Sequence, residues 1–389
     1  MKFGKIALRI LFAVIVIALT LSILHFEVDY FSPDPPLESE NLYDYTFKLD
    51  KKIYTLPFSF QSLTEDGWEI TTKGYEAPAI MHGHQTKTVD VKKGDKHLTV
   101  ILLNPTGDRI VHTEADVAGV NVYADSKVKL ELPKNVTLDF TEKSLTEAYG
   151  EPSLKSTPRK ITQFTYENSK DYYGKNKAVF RLFSKKKKPE PVIELYNAKF
   201  VHTFAKNRLC DEAAAYVAPK ELSNDISSGC FELDGQLYQF PVPIKEFLDN
   251  GWIFTHNPTE IFSGGAGSVE ITKSLNSYSA IHLYFYNPAP YMTTIENCMV
   301  YGMQTSISDD YSLTLPEGIS TQSEYEKINE LYEKGETKLK KYDDPKLSNA
   351  FYYSDKEKVS VGLTFNKNFC TIIYSYKDRS YLENYYHIY

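Results

Sequence analysis

The chain is written twice. Phe47, Leu49, Asp50, Tyr54, Pro57, Gly67 and Trp68 recur as Phe231, Leu233, Asp234, Tyr238, Pro241, Gly251 and Trp252, in one register without a gap. One residue out of step, the correspondence continues: Asn104, Pro105, Leu130, Leu132 and Pro133 return as Asn287, Pro288, Leu313, Leu315 and Pro316. A repeat of this length means that one supersecondary unit folds two times over, so every local reading can be checked against its twin.

Phe47 with Leu49, and Phe231 with Leu233, alternate as a half-buried strand does. Asp50, or Asp234 with Gly235, then turns the chain into Tyr54 or Tyr238, so a hairpin opens each copy. Pro57 and Pro241 are read as helix starts, with Ile244, Phe247 and Leu248 on one face of the second helix. Gly67 and Gly251 end these helices in the left-handed conformation, and Trp68 and Trp252 fold back onto the last turn. The Gly-Trp and Pro positions are therefore a structural signature of the repeat and not a site. Strands follow at 89–91, 98–103, 120–123 and 128–132, answered by 269–271, 281–286, 300–303 and 311–315. A second helix is expected over 141–149, N-capped by Thr141 and closed by Gly150, with a partner near 322–334. Strands near 164–166, 178–183 and 192–196, and again near 350–353, 359–365 and 370–376, complete the copies. The 30 Tyr and 22 Phe suit pleated faces that accept such rings.

The N-terminus adds an expectation of its own. Lys2, Lys5 and Arg9 precede an uncharged run, and the 21 residues from Ile6 to Phe26 hold Arg9 as their one full charge. That length crosses a bilayer, and the basic residues before it against Glu27, Asp29 and Asp34 after it set the N-terminus inside. A cleaved secretory signal shares the charged start, but no small-x-small site follows Leu24. The organisation expected is a cytoplasmic tail 1–9, a transmembrane anchor 10–26, an extracytoplasmic spacer 27–42, copy one 43–205, a linker 206–229 and copy two 230–389. The fold class expected is α+β: an N-terminal transmembrane helix followed by two tandem repeats of a helix-on-antiparallel-sheet module. Localisation would be the cell membrane, single-pass, with the bulk outside.

Thr141, Leu145, Tyr149, Gly150 and Pro152 combine a cap, two apolar positions on one helix face and a Gly-x-Pro exit. This spacing resembles the helix-to-sheet element of the small lipoproteins of outer-membrane assembly, the SmpA/OmlA type, and of β-lactamase inhibitor protein. The resemblance implies a helix packed on an antiparallel sheet and, because members of those families bind other proteins, an interaction role. Copy two departs from it, with Ile328, Tyr332 and Glu333 in register and no Gly-x-Pro. The two-copy chain also resembles uncharacterised surface proteins of Gram-positive bacteria.

Chemistry is sparse. A net charge of -7 gives no basic footprint for nucleic acid, and the lysines at 185–188 read as a solvated hairpin tip. His82-Gly83-His84 has metal-ligand character, but copy two keeps only the glycines, Gly264, Gly265 and Gly267, so a hairpin tip is the reading adopted. The pairs Asp309-Asp310 and Asp343-Asp344 read as loop acids. No nucleophile elbow or zinc-protease run occurs, so no catalytic residue, metal or cofactor is assigned. Four cysteines, Cys210, Cys230, Cys298 and Cys370, allow three pairings; Cys210 with Cys230 would close a local loop in the linker, and four free thiols is the alternative. Tyr278, Tyr284, Tyr286, Tyr291, Tyr352, Tyr353, Tyr374 and Tyr376 are divided between core and a stacking face. The expectation is a non-catalytic pair of protein-binding modules, the alternative a glycan or cell-wall binding protein, and the third reading a secreted hydrolase.

Overall fold

In a computed structural model the chain is described over residues 35–158, 160–167, 176–183, 190–257, 259–275, 279–305, 310–344, 347–354, 359–366 and 369–376. Each copy opens on the hairpin its alternation dictates. Thr46–Leu49 pairs with Lys52–Thr55, and Cys230–Leu233 with Gln236–Gln239, setting Phe47 opposite Tyr54 and Phe231 opposite Tyr238. The facing rings stack with centroids 5.7 and 5.4 Å apart. Asp50 and Asp234 make the turns at φ 54° and 53°, a left-handed conformation that aspartate tolerates.

The first helix of each copy, Phe60–Glu65 or Ile244–Asp249, ends in the same way. Gly67 N–H donates to the Thr64 carbonyl and Trp68 N–H to that of Leu63; Gly251 and Trp252 do the same to Leu248 and Phe247. Both glycines have φ 83°, and both tryptophans are buried. This is the paired 6→1 and 5→2 bonding of a Schellman cap. The starts differ from the sequence reading. Pro57 and Pro241 follow cis peptide bonds upstream of the helices, and a short strand, Phe58–Ser59 or Val242–Pro243, intervenes to pair with Asp116–Tyr123 or Met299–Thr305.

The two halves share a topology. A four-stranded antiparallel sheet has the order Val136–Thr137, Leu130–Leu132, Thr46–Leu49, Lys52–Thr55 in copy one, and Ile319–Ser320, Leu313–Leu315, Cys230–Leu233, Gln236–Gln239 in copy two. Each large sheet has nine strands. In copy one its path runs Leu154–Ser156, Ile161–Glu167, Lys177–Phe183, Glu190–Tyr196, Asp116–Tyr123, Lys96–Leu103, Thr86–Lys93, Glu69–Ile70, with Phe58–Ser59 off the path. Copy two repeats that order from Lys340–Asp344 to Ile253–Phe254. Phe47, Leu130 and Leu132 from the small sheet meet Val100, Val120 and Phe180 from the large one in a single core. Phe231, Leu313, Leu283, Met303 and Tyr374 build the second core.

Two expectations are corrected. The α+β class gives way to a mainly antiparallel β architecture, because residues of two antiparallel sheets build most of each core and the helices are short. The later helices, Glu142–Tyr149 and Tyr325–Glu333, each fully bury a single residue, Leu145 or Ile328. The anchor at 10–26 and the tail at 1–9 lie outside the described residues. Among the described residues no helix is long and apolar enough to cross a membrane, and the structure gives the transmembrane anchor, the membrane as a partner and the single-pass localisation no support.

Candidate functional site at the seam between the copies

Where the copies meet, each contributes two loops set by one buried asparagine. Asn104 Nδ2 donates to the His82 and Asp108 carbonyls at 2.9 and 2.6 Å, and its Oδ1 accepts from Thr106 N–H at 2.9 Å. Asn287 Nδ2 donates to the Ile261, Phe262 and Tyr291 carbonyls at 3.0, 3.1 and 2.9 Å, and its Oδ1 accepts from Ala289 N–H at 2.9 Å. The same side-chain amide thus ties the same two loops in both copies, which gives the shared Asn-Pro its physical reason.

The loops join through main chain. Gly83 N–H donates to the Ser263 carbonyl at 3.0 Å, Ser263 N–H to that of Gly107 at 2.8 Å, and Arg109 N–H to that of Pro290 at 2.8 Å. In the register that aligns Asn104 with Asn287, Gly107 and Pro290 are equivalent, so each copy offers the same carbonyl to the other. Side chains add to this: Met292 N–H donates to Asp108 Oδ1 at 2.8 Å, and the Arg109 guanidinium donates to the Pro288 carbonyl at 3.0 Å. The approach is close enough to require glycine. A Cβ on Gly83 would lie 2.3 Å from the Gly107 carbonyl oxygen, and one on Gly107 would lie 2.5 Å from Met292 Sδ.

A strap, 197–208, crosses this seam after the last strand of copy one. Val201 N–H donates to the Pro105 carbonyl at 2.8 Å and Lys206 N–H to that of Met292 at 2.8 Å. Gly107 N–H donates to Thr203 Oγ1 at 2.9 Å. Arg208 Nε donates to the Tyr291 hydroxyl at 2.8 Å, with the guanidinium 4.7 Å from the ring centroid. Between these fixed points Val201 is 57% exposed and Phe204 79% exposed. Lys206 also lies 3.7 Å from Asp108, joining the strap electrostatically to the seam.

Two histidines sit here. His82 is held below its usual range by burial, then by Arg109 and Lys87; burial alone lowers His84. The site as built can bind through main chain, cation and apolar surface. Fold and seam together define a class, a tandem duplication of a mainly antiparallel β unit closed on itself by backbone hydrogen bonds. No family model, curated protein or solved structure matches the chain.

Of the residues singled out from sequence, His82, Gly83 and His84 come to the seam, facing Phe262, Ser263 and Gly264. No three His, Cys, Asp or Glu side chains converge as metal ligands among the described residues. Gly67, Trp68, Gly251, Trp252, Pro57 and Pro241 belong to the hairpin and helix ends. Cys210 and Cys230 are not joined: each is a buried free thiol, as is Cys298. Cys210 Sγ accepts from Ala213 N–H at 3.3 Å and caps the helix Asp211–Ala214, while Cys230 lies in a strand opposite Gln239. Burial pushes the Cys210 thiol up to about 11. Tyr291 and Tyr374 are core; Tyr284 and Tyr286 flank Tyr301, with centroids 6.3 and 6.1 Å away. Tyr278, Asp309 and the lysines at 185–188 lie outside the described residues, as do the side chains of Asp343, Asp344, Tyr352, Tyr353, Tyr376 and Cys370. Asp108, Arg109, Lys206 and Phe204 escaped sequence reasoning; the repeated Asn-Pro beside the first two was the available signal.

Proposed function

We propose that the chain is a non-catalytic protein-binding protein and that the strap over the seam is its binding surface. The observation that carries this is Phe204, 79% exposed on a backbone tied to both copies. A large ring held in water by a fixed backbone has already met the ordering cost that a flexible segment meets on binding. Exposed aromatic anchors flanked by polar groups are also the residues that dominate protein interfaces. Lys199, His202 and Lys206 supply such a rim here.

The test is retention of proteins from the native source on the immobilised chain, with Phe204→Ser beside the wild type and insoluble cell-wall glycan in a parallel arm. A protein held by the wild type and weakened roughly tenfold or more by Phe204→Ser is the expected outcome. Thermal unfolding should be unchanged, since the ring buries little. Identical retention by both chains would remove the strap as the surface, and retention on glycan alone would favour the sugar-binding reading, for which the Tyr284, Tyr301 and Tyr286 row is the nearest feature.

A further inference from the structure

The seam is chemically lopsided. Equivalent loop positions hold His82 and His84 in copy one and Phe262 and Gly264 in copy two, with matching hydrogen bonds from Gln85 N–H to the His82 carbonyl and from Gly265 N–H to that of Phe262. Both imidazoles point at the other copy. His82 lies on the Gly264 backbone, where a Cβ would come within 2.5 Å of its Nδ1, and that nitrogen is buried without a hydrogen-bond partner. The His84 ring has centroids 4.9 Å from Phe200 of the strap and 5.4 Å from Phe262 of copy two.

The charges around His82 are mostly of one sign. Arg109 comes from the loop after Asn104, with its Nε also buried and unpartnered, and Lys87 from the strand Thr86–Lys93. The facing stretch of copy two, 261–265, carries no ionisable side chain. Asp108 is the carboxylate of the neighbouring loop, and it is turned to Met292 N–H and to Lys206 of the strap. A proton on His82 therefore places a buried cation against glycine backbone and the Arg109 guanidinium, and a proton on His84 places a cation in a half-buried site that desolvates it.

We propose that the seam is an acid-sensitive latch: when His82 and His84 take up protons, the copies part along the loops 82–85 and 262–265. The sign follows from which form binds protons first. With the seam closed, burial holds both histidines below 6.5, and Arg109 and Lys87 add to this at His82. With the seam parted, both rings are in water and titrate near 6.5. The latch is at full strength above about pH 6.5 and weakens as the pH falls from there toward the lowered values. His112 is the internal control. Burial holds it low as well, but its Nδ1 accepts from Ala79 N–H at 2.9 Å within copy one, so its titration is reported by the Ala79 amide and not by the seam.

Hydrogen exchange on the full chain, normalised for intrinsic rate, at about pH 7.5 and about pH 5 decides the matter. The amides of Gly83, Ser263 and Arg109 are expected to lose protection on the order of tenfold on acidification, while Val100 and Leu283 in the sheets keep theirs. In His82→Asn/His84→Asn the acid loss at the seam should vanish; asparagine is neutral and accepts the φ of 58° at position 84. If that variant lacks sheet protection at neutral pH, His82→Gln/His84→Gly takes its place. Three results overturn the proposal: wild-type seam amides equally protected at both pH values, an unchanged acid loss in the neutral variant, or sheet amides that lose protection in step with the seam.

Discussion

A single side-chain amide does in each copy what no backbone group is placed to do. Asn104 and Asn287 are fully buried, and each spends its two N–H groups on carbonyls of two separate loops. Taking the amide away cuts the tie between the two loops and leaves the carbonyls it served one donor short. Asn104→Ala is expected to lower the unfolding free energy by about 2–4 kcal/mol, read from urea denaturation. Asn104→Asp should match it, because a carboxylate accepts and cannot donate. A loss under about 0.5 kcal/mol in both variants would show that the loops hold without the amide. The sequence displays Asn104-Pro105 and Asn287-Pro288 as shared ends of an apolar run, yet not their purpose. The acceptors of Asn104 are the His82 carbonyl, 22 residues upstream, and the Asp108 carbonyl, 4 residues downstream, and a bond across such a span leaves no periodic mark.

At the scale of elements, local chemistry was readable and tertiary chemistry was not. Gly67-Trp68 and Gly251-Trp252 read as helix caps because a Schellman cap is completed within six residues. The strand Ile281–Tyr286 falls where its alternation puts it, and Glu142–Tyr149 begins after Thr141, whose side chain accepts from Ser144 N–H. Pro57 and Pro241 stand upstream of the helices and do not start them, because a proline after a strand suits a helix start and a turn equally. The helices cover less than their patterns suggest for a related reason: an amphipathic pattern states that one face is apolar, not how much it covers. In copy two the helix Tyr325–Glu333 closes at Gly335, φ 69°, two residues beyond the position matched to Gly150. For the caps the test is Gly251→Ala. Nothing lies within 4 Å of a Cβ there, so the whole effect is the φ of 83°, expected at about 1 kcal/mol in denaturant unfolding. An unchanged midpoint would mean that the left-handed residue is not what ends the helix.

Across the whole molecule, two separate cores are joined by a seam made largely of main chain. Cores that share no side chains would unfold independently if nothing but a linker joined them, so cooperativity between the copies has to pass through the seam. Gly83 is the point at which to break it. Its absent Cβ is what lets the Gly107 carbonyl approach, and at 2.3 Å from that backbone oxygen and 2.9 Å from Phe262 Cβ a methyl group has no flexible neighbour to displace. Gly83→Ala must therefore shift the 82–85 loop away from both copy two and the 104–109 loop. Scanning calorimetry should show the wild-type chain melting in one transition and Gly83→Ala in two, with the unfolding of copy one moved to lower temperature. Gly362→Ala is the control, since a Cβ there meets nothing within 4 Å. Two transitions in the wild type would mean that the seam holds the copies together without coupling them. A single unshifted transition in Gly83→Ala would mean that the loop yields and that the close approach is not what fixes one copy on the other.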